Sequence, residues 1–125
     1  MKRILPVLLF LLLLTGCGGN SADGYQQITQ EEAKEMMDTQ EVIILDVREQ
    51  DEYDSGHIPG AVLLPVGNID EDTAAEVISE KDSTVLVYCR SGNRSKTASS
   101  ALAELGYTNI YEFGGISTWP YETES

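Results

Sequence analysis

Five apolar runs along the chain predict strands. Residues 42–47 and 84–88 are nearly continuous stretches of aliphatic and β-branched side chains, a pattern typical of strands covered on both faces of a sheet. Shorter apolar runs at residues 25–28, 61–65 and 109–113 indicate three more strands. We therefore expect a sheet of about five strands.

Helical periodicity appears between the predicted strands at residues 25–28 and 42–47. A capping box formed by Thr29 and Glu32 marks a helix start, and Ala33, Met36 and Met37 then share one face at helical spacing. This spacing predicts an amphipathic helix.

Two further helices are predicted in the second half of the chain. Asn68 or Asp70 is expected to cap the first of them, and Gly106 is expected to end the second. Their apolar faces consist of Ala74, Val77 and Ile78 in the first helix, and of Ala98, Ala101, Leu102 and Leu105 in the second. Strands alternating with helices predict one α/β domain over residues 25–121, with a mostly parallel sheet, helices on both faces and a C-terminal tail at 122–125.

The N-terminal segment has the pattern of an export signal. Lys2 and Arg3 precede an apolar stretch at residues 4–14, which is too short to span a bilayer core of about 30 Å. The following LTGC, which ends at Cys17, resembles a bacterial lipobox. Residues 1–16 are therefore expected to be a lipoprotein signal peptide; an ordinary signal peptide with a chance cysteine is the alternative.

This interpretation has consequences for location and charge. Cys17 would carry lipid on a flexible tether, residues 17–24, and anchor the protein outside the cytoplasm on a bacterial membrane. Loss of Lys2 and Arg3 would take the formal net charge from −13 to −15. Such a chain repels nucleic acid and anionic membrane surfaces, so no nucleic-acid partner is expected. Cys89, the other cysteine, would have no disulfide partner.

The sequence CRSGNRS, residues 89–95, predicts a reactive thiol. Cys89 ends a strand, and Arg90 and Arg94 place positive charge beside it. Gly92 permits the loop to turn its amides inward around an anion at the start of the following helix. Ser91, Asn93 and Ser95 add donors, and Asn93 or Ser95 is expected to cap that helix. The alternative is a cysteine that only fills the core.

The same loop resembles the active-site loop of the single-domain rhodaneses. LDVREQDEYDSGHIPGAVLLP at 45–65 and EFGGISTWP at 112–120 resemble two other motifs of that family, in matching order and spacing. The resemblance implies a rhodanese-like domain and a sulfurtransferase without metal or cofactor. Cys89 would take a sulfane sulfur from a small anion such as thiosulfate, and cyanide or a thiol would remove it. The loop residues Arg90, Ser91, Gly92, Asn93, Arg94 and Ser95 would bind the donor.

Three alternatives remain open. Cysteine phosphatases and arsenate reductases use Cys-x5-Arg, but here Ser95 stands at that arginine position and Arg94 comes one residue early. A non-catalytic binding or sensing module is the second alternative. The third is persulfide carriage or thiol redox chemistry outside the cytoplasm. A monomer is assumed.

Other polar residues in the motifs are expected to be structural. The only histidine, His57, lies in a Gly- and Pro-rich turn and is expected to support the fold. Asp46 and Arg48 are expected to stabilise the fold through an ion pair with Glu49, Glu52 or Asp54; a position at the border of the site is the alternative. The acidic cluster at residues 51–54 lacks the ligand spacing of a calcium loop and is read as solvated surface. Trp119 is expected to pack on the domain.

Overall fold

The computed structural model describes residues 24–125. Cys17 and the expected signal peptide lie outside the described residues. Strands and helices alternate in the order β1 (Gln26–Gln27), α1 (Gln30–Thr39), β2 (Ile43–Asp46), α2 (Gln50–Ser55), β3 (Val62–Leu63), α3 (Glu71–Val77), β4 (Val85–Cys89), α4 (Asn93–Glu104) and β5 (Ile110–Gly115). Two short 3₁₀ helices span Val66–Asn68 and Ile116–Thr118.

The five strands form one parallel sheet in the order β1-β5-β4-β2-β3. The two strands predicted to be fully buried, β2 and β4, lie beside each other near the middle, where helices cover both faces. The predicted α/β fold with a five-stranded parallel sheet is therefore confirmed.

Alternating side chains of β4 supply two separate cores. Val85, Val87 and Cys89 face a core that contains residues of α3 and α4, and Leu86 and Tyr88 face a core that contains residues of α1. This alternation follows from the two-residue period of a strand, and it leaves every residue of β4 buried. Cys89 thus lies on the face that α4 covers.

The predicted helix starts are confirmed in two helices and wrong in one. Thr29 and Glu32 form the capping box of α1, and Asp70 caps α3 by accepting a hydrogen bond from the Thr73 amide. The residue at the start of α4 is Gly92, whose side chain offers no cap. The expectation that Asn93 or Ser95 caps α4 is wrong, because both lie within the helix.

Helix α2 was not predicted, because its sequence QDEYDS lacks apolar periodicity. Its first turn is stabilised by Glu52, whose Oε1 accepts a hydrogen bond from the Glu49 amide at 3.0 Å. Tyr53 packs against the same core as α1, and its hydroxyl donates to the Ala61 carbonyl at 2.6 Å. Tyr53 therefore holds this helix on the domain, and Glu52 stabilises its first turn.

A buried polar network joins β2, β4 and the turn after α2. Arg48 donates to both carboxylate oxygens of Asp46, and also to the Gly56 carbonyl at 2.7 Å. The expected ion pair of Arg48 with Glu49, Glu52 or Asp54 is therefore wrong. Asp46 is fully buried and Arg48 is 5% exposed. Because neither charge is solvated by water, each is stabilised by its ion pair with the other.

Tyr88 extends this network across the sheet. Its hydroxyl donates to Asp46 Oδ2 at 2.6 Å and accepts from the Ile58 amide at 3.0 Å. Burial and the hydrogen bond to Asp46 raise the pKa of Tyr88 far above its ordinary value, so the hydroxyl keeps its proton. The network ties the end of β2 to the residue next to Cys89.

The C-terminal residues pack on the same domain. Trp119 contacts Phe113, as expected, with ring centroids 5.6 Å apart. His57 stacks on Tyr53 and exchanges two backbone hydrogen bonds with Glu124, which holds the chain end against this turn. Within residues 24–125, no helix is long and apolar enough to cross a membrane.

We predict that Tyr88→Phe lowers the free energy of unfolding by about 1–3 kcal/mol, because it leaves the Ile58 amide without a buried partner and removes a donor from Asp46. Urea denaturation measures the change. Tyr111→Phe is the matched control, since the Tyr111 hydroxyl bonds only to the partly exposed Asn109 side chain. Equal losses in the two variants would contradict this account.

Candidate active site

The Cys89 thiol lies at the end of β4 inside the turn that leads into α4. Its residue is 1% exposed, and the Gly92 amide donates to Sγ at 3.0 Å. Gly92 has φ of 107°, a left-handed conformation that a side chain disfavours. This conformation turns the loop back on itself and directs the amide at the sulfur.

Hydrogen bonding at this position stabilises the thiolate. Burial raises the pKa of Cys89, but the Ser95 hydroxyl and the backbone amides of Ser95, Gly92 and Ser91 lower it, and the net direction is downward. The thiolate is the nucleophilic form of cysteine, and donors directed at a buried sulfur favour that form. The loop can therefore hold an anion on Sγ.

Ser95 is the loop side chain in closest contact with the sulfur. It is fully buried, and its Oγ lies 3.4 Å from Cys89 Sγ. Ser91 and Asn93 are exposed, so Ser91 contributes its amide to the site, and neither side chain bonds to Sγ. The predicted loop residues thus act here mainly through the backbone, with Ser95 as the exception.

The two arginines have different surroundings. Arg94 makes two hydrogen bonds to the Glu52 carboxylate, at 2.8 and 3.0 Å, so its charge is partly balanced by α2. Arg94 holds the pKa of Glu52 at about 2, and Cys89 and Glu52 both raise the pKa of Arg94. The interpretation of Glu52 as solvated surface is therefore wrong. Arg90 is exposed and has no ion-pair partner among residues 24–125.

Sequence reasoning missed Glu112, a buried carboxylate beside the loop. It is 2% exposed, and its Oε2 accepts hydrogen bonds from Ser95 Oγ at 2.5 Å and from the Gly114 amide at 2.9 Å. Glu112 pairs with Val87, whose side chain lies on the same face of the sheet as Cys89, and this register places the carboxylate on the side that α4 covers. The sequence contained one indication of this buried carboxylate, since Glu112 is an acidic residue within a segment predicted to be a strand.

The backbone of Gly115 forms the wall opposite the cysteine loop. A Cβ at this position would overlap the Arg90 carbonyl and approach the Ser91 amide at 2.5 Å. The Ser117 amide also donates to the Arg90 carbonyl at 3.1 Å. The glycine pair at 114–115 and the cysteine loop therefore fit together only because no side chain separates them.

A groove of about 330 Å³ lies beside the loop, and its lining includes Gln27, Gln30, Ser91, Lys96, Glu112 and Thr118. It reaches the cysteine loop at Ser91 and Gly92. In the described part of the chain, no three residues of the kinds His, Cys, Asp and Glu converge in a way that would hold a metal ion.

Most of the described chain matches one known protein family. The family described as the Rhodanese-like domain matches residues 29–121. The chain belongs to the rhodanese-like family. The membership predicted from three motifs is thereby confirmed for the domain itself.

Two relatives and one solved structure illustrate the similarity. Thiosulfate sulfurtransferase GlpE of Coxiella burnetii is 35% identical over 96 residues, which cover 76% of this chain and 87% of that protein. Thiosulfate sulfurtransferase PspE of Escherichia coli is 38% identical over 72 residues, covering 58% and 68% of the two chains. A structure described as rhodanese with anions from E. coli superposes with a TM-score of 0.63 at 29% identity, covering 68% and 99%.

We predict that Gly115→Ala in this rhodanese-like domain displaces the cysteine loop and slows alkylation of Cys89 at neutral pH about tenfold. The added methyl group would push the Arg90 carbonyl away, and the amides that lower the pKa of Cys89 would lose their alignment. The alkylation rate at Cys89, followed by peptide mass, measures this. Gly67→Ala is the matched control, since a Cβ there meets nothing within 4 Å.

An unchanged alkylation rate in a folded Gly115→Ala protein would contradict this role of Gly115.

Proposed function

We propose that this rhodanese-like protein is a sulfurtransferase that carries a sulfane sulfur as a persulfide on Cys89. The observation that carries the proposal is the buried Sγ with hydrogen-bond donors directed at it and a lowered pKa. The relatives named thiosulfate sulfurtransferase support a sulfurtransferase activity in general.

In the first half-reaction, the Cys89 thiolate attacks the outer sulfur of a donor such as thiosulfate. A bond forms between Sγ and that sulfur, the sulfur–sulfur bond of the donor breaks, and sulfite leaves with the electron pair. The negative charge then lies on the outer sulfur of the persulfide. The backbone amides of the loop stabilise this charge by hydrogen bonds, and the covalent intermediate divides the transfer into two easier steps.

In the second half-reaction, a thiophilic acceptor removes the outer sulfur. Cyanide or a thiolate attacks it, and the electron pair of the sulfur–sulfur bond returns to Cys89 as thiolate. No proton or redox partner is needed for either transfer. These steps require only a protected sulfur anion and access from the exposed side of the loop.

The two arginines have different roles in binding an anionic donor. Arg90 is exposed beside Cys89 and free of ion pairs within residues 24–125, so it is the residue that meets the donor first. Arg94 is held by Glu52 and supplies a fixed positive charge near the sulfur. Attraction of this kind is useful in a chain of formal net charge −13, which otherwise repels anions.

The position of Ser95 argues against the phosphatase alternative. A phosphate-binding loop needs an arginine at that place to grip the oxyanion in two directions. Here a serine hydroxyl is turned toward the sulfur, and Arg94 makes its two hydrogen bonds to Glu52. The loop therefore suits a single sulfur atom better than a tetrahedral phosphate.

We also propose that the protein works outside the cytoplasm, attached to a bacterial membrane by a lipid on Cys17. The support is the sequence alone: a basic start, a short apolar stretch and LTGC. The domain would then serve sulfur donors and acceptors on the outer side of that membrane.

We predict that the protein forms thiocyanate from thiosulfate and cyanide, and that thiosulfate alone adds the mass of one sulfur to the Cys89 peptide. Cys89→Ser should reduce both to background, because a hydroxyl cannot carry a sulfane sulfur. A colorimetric thiocyanate assay and peptide mass spectrometry measure the two results, and circular dichroism checks that the variant is folded.

Equal behaviour of wild type and Cys89→Ser would refute the enzymatic proposal. Hydrolysis of a phosphate monoester without sulfur uptake would favour the phosphatase alternative. A folded wild type that shows neither reaction would favour the binding module.

We predict that Cys17→Ala releases the protein from the membrane fraction when it is expressed in a bacterium that processes lipoproteins. The reason is that the lipid would be the sole anchor of a strongly acidic chain. Fractionation followed by immunoblotting measures the distribution. Retention of the variant in the membrane fraction would indicate an uncleaved N-terminal anchor instead.

A further inference from the structure

The two half-reactions proposed above leave one buried group without a role, the carboxylate of Glu112. Its Oε2 lies 2.5 Å from Ser95 Oγ, and that hydroxyl lies 3.4 Å from Cys89 Sγ. A single hydroxyl therefore links a buried acid to the sulfur. The inference below rests on the proposed sulfur transfer at Cys89.

The hydrogen-bond partners of Glu112 are neutral groups. Its carboxylate accepts hydrogen bonds from Ser95 Oγ, the Gly114 amide and Gln27 Nε2, the last at 3.1 Å. Within residues 24–125 it forms no ion pair, and it is 2% exposed. The carboxylate is therefore buried with neutral hydrogen-bond donors as its partners and without a paired cation.

The Ser95 hydroxyl sets the direction of hydrogen bonding between the two groups. It has one proton, which the Glu112 carboxylate, the Gly92 carbonyl and the Gly114 carbonyl can each accept. With the proton directed at Glu112, the Cys89 thiol donates to Ser95 Oγ. The hydrogen bonds then run from thiol to hydroxyl to carboxylate.

We propose that Glu112 takes the Cys89 proton through Ser95 and holds it while negative charge lies on sulfur. The thiol proton moves to Ser95 Oγ as the Ser95 proton moves to Glu112 Oε2. The bonds S–H and O–H break, and one O–H bond forms at Ser95 and one at Glu112. The products are a thiolate and a carboxylic acid, and the total charge is unchanged.

The proton transfer reverses the direction of both hydrogen bonds of Ser95, so that donors now point toward the negative charge on sulfur. Protonated Glu112 donates to Ser95 Oγ, and the Ser95 hydroxyl is then free to donate to the sulfur anion. Without the transfer, two negative groups would share one hydroxyl proton in a buried site, which is unfavourable. The same arrangement persists in the persulfide, because its anion also attracts the Ser95 hydroxyl.

The neighbouring charges favour the anion on sulfur over the anion on Glu112. Arg94 on α4 acts on Cys89, although Glu52 of α2 partly balances its charge. Arg90 follows Cys89 directly and is exposed. Lys96 is exposed and lines the same groove as Glu112, but the two residues form no ion pair. Glu112 is thus a positioning residue that stores a proton and acts on the sulfur through Ser95.

Infrared spectroscopy of the full-length protein in detergent tests this. Thiosulfate converts Cys89 to the persulfide anion, whereas methyl methanethiosulfonate converts it to a methyl disulfide that has the same S–S unit without the charge. We expect a carbonyl band of a protonated carboxylic acid in the persulfide form and its loss in the methyl disulfide form. Glu112→Gln should lack the band, and Glu112→Asp should retain it at a shifted frequency.

Glu104→Gln is the matched control, since Glu104 is exposed at the end of α4 and should leave the band unchanged. A wild-type persulfide without the band, a band equally strong in both forms, or a band that persists in Glu112→Gln would overturn the proposal. Mass spectrometry of the same samples records sulfur uptake, so failure of the sulfur transfer itself is recognised separately.

A second measurement requires no sulfur donor. Because one proton is shared by two groups, the alkylation rate of Cys89 in wild type should rise with pH in two steps. Glu112→Gln and Ser95→Ala should each show a single step, and the step of Ser95→Ala should lie at higher pH because the sulfur has lost a donor. Two unchanged steps in Glu112→Gln, or one step in wild type, would contradict the shared proton.

Discussion

The close contact between two stretches of backbone is the constraint on which the site depends. Gly115 at the end of β5 lies against the Arg90 carbonyl, and the Ser117 amide holds that same carbonyl. This contact fixes the first residue of the cysteine loop, so the amides that follow are directed at Cys89. The parallel sheet makes the contact possible, because β4 and β5 are neighbours that end at the same edge.

Negative charge on the Cys89 sulfur is stabilised by backbone dipoles more than by free cations. The sulfur is surrounded by the amides of Ser91, Gly92 and Ser95, while the Arg94 guanidinium is shared with Glu52. Amides in a buried loop need no counter-ion and cannot be screened by solvent as surface charges are. The proposed storage of the Cys89 proton at Glu112 also limits the charge, because the pair of Cys89 and Glu112 carries one negative charge before and after the proton moves.

Much of the fold was predictable because it depends on local pattern. The apolar runs correspond to the strands, and the Thr29–Glu32 capping box and the stop at Gly106 lie where the pattern placed them. Helix α2 was missed because it has one apolar contact and no periodicity. The cap of α4 was assigned wrongly, since the order of residues does not reveal that Ser95 is turned inward.

The sequence by itself determined the fold class, the family and the cysteine with its loop, because periodicity, glycine positions and motif spacing are properties of neighbouring residues. Only the tertiary structure decided the partners of charged groups distant along the chain. Arg94 meets Glu52 across 42 residues, and Ser95 meets Glu112 across 17. Such pairs depend on which elements are adjacent in space and on the register of β4 with β5, and a linear pattern records neither.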